Sequence, residues 1–354
     1  MKIAVGLSGG VDSSVAAYLL KQAGHDVIGT IMKIRDGGCA PVASKGNACY
    51  GPGEEDNIAD ARKVCEFLDI PLHVVNCSRQ YRDIVLNNFK SEYYTGRTPN
   101  PCVLCNQTIK FGVLPTLLAE SGIAFDRFAT GHYAQVTYDT ASSRYLLKKA
   151  VDVKKDQTYF LYRLTQKQLA RILFPLGKHT KSEVRNIALD TGLPVHDKGE
   201  SQDFYSGDYT DLLEVEHIAG DIVNRDGKIL GTHNGIWHYT VGQRKGLGIS
   251  HTEPLYVLAI NAEKNEIVVG EKKFCYSGGL QATDLTIITG ELPARGTAKI
   301  RSNSKEVAGS FSLSGNALRV IFDKPQSSVT PGQSVVIYHN DIVIGGGIIA
   351  KAIS

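Results

Sequence analysis

The stretch Ile3-Ala4-Val5-Gly6-Leu7-Ser8-Gly9-Gly10-Val11-Asp12-Ser13-Ser14-Val15-Ala16-Ala17-Tyr18-Leu19-Leu20 decides how this chain folds. A short apolar run suited to a buried strand leads into a Gly/Ser turn, and the turn opens an apolar-periodic segment that reads as a helix. Gly9 and Gly10 let the backbone approach an anion and take φ values closed to other residues. The N–H groups at the helix start point at that anion with the dipole behind them, and Ser8, Ser13 and Ser14 add hydroxyl donors. A glycine-rich turn that merely caps a helix is the bland alternative, but a lone Gly-Gly would not bring three serines and an aspartate with it. No G-x-x-x-x-G-K-[ST] occurs, which excludes a Walker loop, and no G-x-G-x-x-G follows a strand, which leaves a dinucleotide fold without support.

Outward from this loop, strand-like runs at 2–5, 26–32, 72–76 and 127–130 alternate with helical patterns at 11–23, 57–68 and 113–121. That alternation predicts a parallel sheet, with ligands at the carboxyl ends of its strands. After about residue 205 the texture changes to short alternating strands between turn signals such as Arg225-Asp226-Gly227 and His339-Asn340-Asp341. The last stretch, 280–354, carries alternating runs at 334–338 and 342–344 behind Pro331-Gly332, and a small closed barrel is the natural protection for such edges.

Composition bounds the rest. The 354 residues suffice for two or three domains, and 42% apolar with 21% charged residues is ordinary for a globular chain. A net charge of +3 permits a nucleic-acid partner without demanding one. No apolar run of membrane-spanning length is evident and the N-terminus opens in a strand-like segment, so no membrane partner and a cytoplasmic location are expected. Seven cysteines, an odd number, fit a reducing compartment and thiol or metal chemistry better than a disulfide framework.

A second candidate site is Arg97-Thr98-Pro99-Asn100-Pro101-Cys102-Val103-Leu104-Cys105-Asn106, followed by a helical pattern over 107–118. Two prolines stiffen the approach to a C-x-x-C that ends at a helix start, where the dipole favours a thiolate. Taken alone, C-x-x-C stays open among a redox dithiol, half of a zinc site, part of an iron–sulfur ligand set, and two small buried hydrophobes.

Ser8-Gly9-Gly10-Val11-Asp12-Ser13 resembles the SGG-x-DS motif of the PP-loop ATP pyrophosphatases. Further stretches narrow the resemblance to the tRNA-specific 2-thiouridylase family: Gly96 to Pro101, Cys105-Asn106, Ile109-Lys110-Phe111, Ala129-Thr130-Gly131-His132-Tyr133-Ala134, Lys155-Asp156-Gln157-Thr158-Tyr159-Phe160-Leu161 and Thr240-Val241-Gly242-Gln243-Arg244-Lys245-Gly246-Leu247-Gly248. The matches run in order over nearly the whole chain. The resemblance implies a PP-loop (adenine nucleotide α-hydrolase-like) α/β domain over 1–204, a small central β-domain over 205–279 and a C-terminal β-barrel over 280–354. It implies ATP-dependent adenylation of C2 of the wobble uridine, position 34, then sulfur transfer with release of AMP and pyrophosphate.

By the same resemblance, Gly6, Leu7, Ser8, Gly9, Gly10, Val11, Asp12, Ser13, Met32 and Gly131 would contact ATP, with Mg²⁺ beside it. Spacing alone would place Met32 in the core. Asn100, Pro101 and Cys102 would border the target base; His132, Lys155, Asp156 and Gln157 would contact tRNA, as would Arg301, Ser302 and Gln333. A solvated charged turn is the plain alternative for Lys154-Lys155-Asp156. A sulfur donor is implied, such as a cysteine desulfurase, a sulfur-relay protein or free sulfide. Two other functions stay open: a tRNA-binding paralogue that has lost thiolation, and another PP-loop adenylating enzyme.

The chain departs from the family where sulfur is handled. Cys105 matches the catalytic nucleophile, but Cys102 stands where the family has an aspartate, and Tyr205 stands where it has the persulfide cysteine. A phenol cannot carry a sulfane sulfur. Two repairs are open: Cys102 partners Cys105 as persulfide carrier and resolving thiol, or Cys102 and Cys105 join a third thiol, Cys49 or Cys39, around a [4Fe–4S] cluster. Cys65, Cys77 and Cys275 are expected to serve packing.

Overall fold

The computed structural model describes residues 1–35, 48–199, 203–205, 207 and 209–353. Two compact units are present, one comprising Met1–Val85, Pro101–Tyr209 and Asp341–Val343, the other Leu86–Asn100, Thr210–Asn340 and Ile344–Ser354. Each is taken by itself.

The first unit begins with strand β1 (Lys2–Gly6), helix α1 (Val11–Gln22) and strand β2 (Asp26–Lys33), followed by the short β3 (Ala48–Tyr50), helix α2 (Glu54–Phe67) and β4 (Leu72–Asn76). A 20-residue helix, α3 (Pro101–Glu120), leads to β5 (Arg127–Thr130), the hairpin β6 (Ala134–Asp139) and β7 (Arg144–Lys149), then β8 (Ile172–Leu173), helix α4 (Lys181–Asp190) and β9 (Asp203–Tyr205). The sheet order is β4-β2-β1-β5-β8, and every pairing in it is parallel. Ile3, Ala4 and Val5 have no exposed surface, as expected of a strand covered on both faces. Complete burial of side chains the size of Ile3 and Val5 contributes about 1.5–3 kcal/mol each. Helix α1 buries Val11, Val15, Ala16, Ala17 and Leu20, so its apolar stripe holds the loop after β1 in place.

Helix α3 corrects two expectations. It starts at Pro101 and not after the cysteines, because proline at the first helical position gives up no hydrogen bond and has the right φ; Cys102 and Cys105 therefore lie within its first two turns. An 18-residue window of this 20-residue helix has a mean hydropathy of 1.3, long and apolar enough to cross a bilayer, contrary to the sequence reading. Ile109, Phe111, Leu114 and Leu118 are buried in the protein, so much of that apolarity serves the core. Between Asn106 and Val113 the helix widens to π geometry, a distortion found often at functional sites. Helix α2 begins three residues before the expected position because Glu54 turns back to accept the Ile34 and Arg35 N–H groups at 2.6 and 3.2 Å.

In the second unit, β10 (Gly220–Val223), β11 (Ile229–His233), β12 (Leu255–Asn261) and β13 (Glu266–Glu271) form a sheet ordered β11-β10-β13-β12. Strands β14 (Tyr276–Ile287), β15 (Arg295–Lys299), β16 (Val307–Ser314), β17 (Ala317–Ser327), β18 (Ser334–His339) and β19 (Ile342–Ile353) follow in the order β14-β17-β16-β15-β18-β19. Pairing of β14 with β19 closes the ring, which leaves these strands no free edge between them.

Candidate functional site

The loop between β1 and α1 is built for close backbone approach. Gly9 sits at φ +71°, and a Cβ there would lie 2.5 Å from the Asn57 carbonyl oxygen of α2. Gly131, just beyond β5, would bring a Cβ within 2.6 Å of the Ser13 nitrogen. The loop thus packs against α2 at Gly9 and against the end of β5 at Gly131, and neither position has room for a side chain. The Ser8 N–H donates to Ser13 Oγ at 3.1 Å, and Ser14 Oγ donates to the Gly10 carbonyl at 2.8 Å. Gly10 is the N-cap of α1 with no side chain occupying the cap, so the first N–H groups of the helix keep their capacity for an anion.

This loop forms one wall of a cavity of about 290 Å³. Ile31, Met32 and Ile34 supply an apolar wall, which corrects the core reading of Met32: it is half-buried and faces the cavity. Gly131, His132, Lys155 and Gln157 line it as well. Lys154 is exposed whereas Lys155 reaches the cavity, which separates the solvated half of that turn from the half at the site. Asp156 is engaged in the turn itself, accepting from the Ala150 N–H at 3.0 Å and Thr158 Oγ1 at 2.6 Å. Gln157 Oε1 accepts the Tyr133 N–H at 2.9 Å. His132 holds Thr130 Oγ1 at 2.8 Å through Nδ1, with its ring 5.7 and 6.0 Å from Phe111 and Phe174. Burial, with the Lys110 charge adding to it, keeps the imidazole well below its usual pKa and therefore neutral.

Two lysines were not singled out from the sequence, Lys181 and Lys198; with Lys110, quoted there only inside the Ile109-Lys110-Phe111 stretch, they join Lys155 around the cavity, where the carboxylates present are Asp12 and Glu54. Lys181 Nζ donates to Asp12 Oδ1 at 2.6 Å, and the Tyr133 hydroxyl donates to the same oxygen at 2.9 Å. A signal for Lys181 was present. Thr180 and Glu183 form a capping box, and a lysine at the first position of that helix works against the dipole, so another partner had to hold it. Lys198 Nζ reaches Asn57 and Asp60 at 2.9 and 2.6 Å. An excess of four lysines over two carboxylates suits a polyanion such as a triphosphate.

The thiols divide into two groups. Cys65, Cys77 and Cys275 are buried; burial pushes Cys65 and Cys77 up to about 12 and raises Cys275 too, in keeping with packing roles. Cys102 and Cys105 are half-buried and Cys49 is exposed. The Cys105 thiol does not have the low pKa its helix position suggested: burial pushes it up to about 11, Lys110 pulls it down and Cys49 raises it. Desolvation outweighs the dipole here. Position 205 is a tyrosine buried among aromatic rings, 6.3 Å from Tyr50 and 6.4 Å from Tyr209. The cluster expectation through Cys102, Cys105 and Cys49 does not fit this arrangement. Among the described residues no three Cys, His, Asp or Glu side chains converge as a metal's ligand set, and cluster irons need such convergence. Cys39 lies outside the described residues.

The other expected positions fall in the second unit. Gln333 Nε2 donates to the Thr98 and Pro99 carbonyls at 3.1 and 3.0 Å, and Arg301 donates to the Ser328 carbonyl at 2.6 Å and to Thr330 Oγ1 at 2.8 Å. Both side chains brace their own unit; Gln333 holds the segment that runs into Asn100. Ser302 is half-buried beside Arg301, whereas Pro101 belongs to the first unit, buried at the start of α3. In the Thr240–Gly248 turn, Arg244 and Lys245 are exposed at the tip.

Three family models match the chain: a tRNA methyl transferase HUP domain over residues 1–205, a tRNA methyl transferase PRC-barrel domain over 211–271 and an aminomethyltransferase beta-barrel domain over 277–349. The tRNA-specific 2-thiouridylase MnmA of Endomicrobium trichonymphae is 50% identical over 356 residues, covering 99% of both chains. That of Geotalea uraniireducens is 47% identical, covering 100% of this chain and 96% of its own. A solved 4-thiouridine synthetase–RNA complex with bound ATP is matched at 16% identity and a TM-score of 0.36, over 60% of this chain and 45% of that one, too loosely to bear on function. Identity of this order along the full length shows that the chain belongs to the tRNA-specific 2-thiouridylase family.

Proposed function

We propose that this chain installs sulfur at C2 of uridine 34 in tRNA, with ATP split to AMP and pyrophosphate. The observation that carries the reading is the cavity, with a glycine-gated loop at one wall, four lysines around it and the apolar Ile31, Met32 and Ile34 beside it. The N–H groups at the start of α1, with Lys181 and Lys198, hold the β- and γ-phosphates of MgATP, while Met32 and the Gly131 backbone receive the adenosine. Gripping the pyrophosphate end leaves the α-phosphorus open to in-line attack by the uridine O2. Attack forms the O2–P bond and breaks the bond to pyrophosphate. A carbonyl oxygen, a poor leaving group, then departs as AMP when sulfur attacks C2.

The tRNA reading extends over the divisions 1–204, 205–279 and 280–354. Asn100, Pro101 and Cys102 border the target base, and His132, Lys155, Asp156 and Gln157 serve the anticodon loop, whose unpaired bases splay out at small cost. Arg301, Ser302 and Gln333 contribute from the second unit, with Arg301 and Gln333 acting chiefly by shaping it. Neutral His132 suits stacking or hydrogen bonding to a base better than phosphate binding. Sulfur arrives in the cytoplasm from a cysteine desulfurase, a sulfur-relay protein or free sulfide. No step is routed through an iron–sulfur cluster, because Cys49, Cys102 and Cys105 do not converge as its ligands.

The test is nucleoside mass analysis of tRNA from a host lacking its own thiolase, with and without this protein, alongside pyrophosphate release from purified tRNA and ATP. Appearance of 2-thiouridine and tRNA-dependent pyrophosphate supports the reading. Pyrophosphate release with a small acid and none with tRNA would favour another adenylating enzyme; tRNA binding with neither product would favour a paralogue without catalysis.

A further inference from the structure

We infer that Cys49 is the thiol that brings sulfur into this site and that Cys105 is the thiol that releases it, an assignment that rests on the thiouridylase reading above. The argument starts from access. A thiol that accepts sulfur from a macromolecular donor must be reachable from solvent and must also face the activated base. Cys49 is exposed, and it lines the same cavity as the loop at Gly6–Ser13, Lys110 and His132. Cys105 is half-buried, absent from the cavity wall and held protonated by burial, so it is poorly suited to receive sulfur from outside.

The Cys49 thiol acts on the Cys105 thiol electrostatically, and the elements between them account for that. Strand β3 carries Cys49 between Ala48 and Tyr50, which pair in parallel with Asp203 and Tyr205 of β9. The Tyr50 ring stacks on Tyr81 at 5.4 Å and 10°. The buried Tyr81 hydroxyl in turn lies within the electrostatic reach of Cys49, Cys102 and Cys105 together. Tyr81, stacked on the neighbour of Cys49, thus has the exposed thiol of β3 and the thiols of α3 within reach of its hydroxyl. Position 205 on the neighbouring strand is filled by a buried phenol, so the sulfur-carrying group of this sheet is on β3.

The chemistry balances as follows. The Cys49 thiolate attacks the outer sulfur of a donor protein's persulfide, breaking the donor's S–S bond and giving Cys49–S–SH plus the donor thiol. The terminal sulfur, deprotonated, attacks C2 of the adenylated uridine; the C2–O bond breaks and AMP leaves with its electron pair. The Cys105 thiol loses its proton and attacks the Cys49 sulfur. The S–S bond to the base breaks, its electron pair stays on the sulfur at C2, and a Cys49–Cys105 disulfide forms. A dithiol reductant then returns both thiols and is itself oxidised.

The test uses the full-length protein with a desulfurase-type persulfide donor, tRNA and MgATP, compared with sodium sulfide as the sulfur source. Peptide mass analysis after donor loading alone should find the extra sulfur on Cys49. A single turnover without reductant should yield the Cys49–Cys105 disulfide. In Cys49→Ser, donor-dependent thiolation should fall about a hundredfold or more relative to sulfide-dependent thiolation and to tRNA-dependent pyrophosphate release in the same variant, a split that a merely structural role for Cys49 would not produce. Extra sulfur on Cys39 or Cys102 in place of Cys49 would overturn the assignment. So would unchanged donor-dependent thiolation in Cys49→Ser, or stoichiometric iron and sulfide in anaerobically purified protein that Cys49→Ser loses. Failure of the wild-type protein to form AMP with tRNA would instead overturn the thiouridylase reading.

Discussion

The phosphate end and the sulfur end of the first unit are assembled by opposite means. At the phosphate end the residues singled out are consecutive, Gly6 to Ser14, joined by Gly131, and at two of these positions no side chain fits: a Cβ at Gly9 or Gly131 would meet backbone at 2.5 or 2.6 Å. At the sulfur end the thiols come from Cys49 on β3 and from Cys102 and Cys105 on α3, and their roles follow from exposure and charge. On the proposed reading, the contrast teaches that recognition of a constant group, a triphosphate, can be written into local backbone geometry, whereas a transferable atom needs groups that differ in access and acidity.

Gly9→Ala tests the contrast most severely. The left-handed φ and the contact with Asn57 should together reduce tRNA-dependent pyrophosphate release by roughly a hundredfold or more. Gly10→Ala should cost at least about tenfold less, since Gly10 has φ −104° and its Cβ would meet only Ser8 Oγ at 3.5 Å. Equal losses in the two variants would show that the loop is not gated by those contacts. Lys181→Met leaves Asp12 without its 2.6 Å partner in a half-buried setting and should raise the KM for ATP by roughly 10–100-fold, in line with about 1.5–3 kcal/mol for a charged hydrogen bond; titration of initial rates against ATP measures it.

Smaller effects probe the sulfur end. With its thiol at about 11, Cys105 should react with iodoacetamide at a rate that climbs about tenfold per pH unit from neutrality until the pH nears that value. The sign for stability is opposite: the unfolded thiol ionises from its ordinary 9.0 while the folded one stays protonated, so this group's contribution is full below pH 9 and is lost as pH rises toward 11. Lys110→Gln removes a charge that lowers the Cys105 pKa and Cys49→Ser removes one that raises it. Their reactivity profiles should therefore move up and down the pH axis respectively, by less than the burial effect. Movement of both in the same direction would break the electrostatic link between β3 and α3.

How much was legible follows the same division. Strand β1, the loop and α1 were readable because apolar period and glycine placement are local properties, and the closed barrel was foreshadowed by short strands with turn signals. The helix Asn87–Tyr94 was not anticipated, because its polar composition hides the helical period and its Lys90 and Tyr94 find partners 124 and 119 residues away. Lys198 carried no sequence signal, since a lysine at a cavity is the same letter as a lysine in solvent, and Lys110 stood only inside the Ile109-Lys110-Phe111 stretch with no role attached to it. Glu54 carried none either: an acidic first helical residue is ordinary, yet here it is buried and ties the end of β2 to α2.

By itself the sequence determined the order of strand, glycine-rich turn and helix, the change to β structure near residue 205, and the family. Each rests on φ preferences and periodicities that act over a few residues, or on motifs that keep their order along the chain. Tertiary structure decided which of the 39 lysines and arginines surround the cavity, that Met32 faces it, and that Cys105 is protonated while Cys49 is accessible. Those properties depend on desolvation and on Coulomb interactions among groups far apart in the chain, and both take their values only once folding has set the distances and excluded the water.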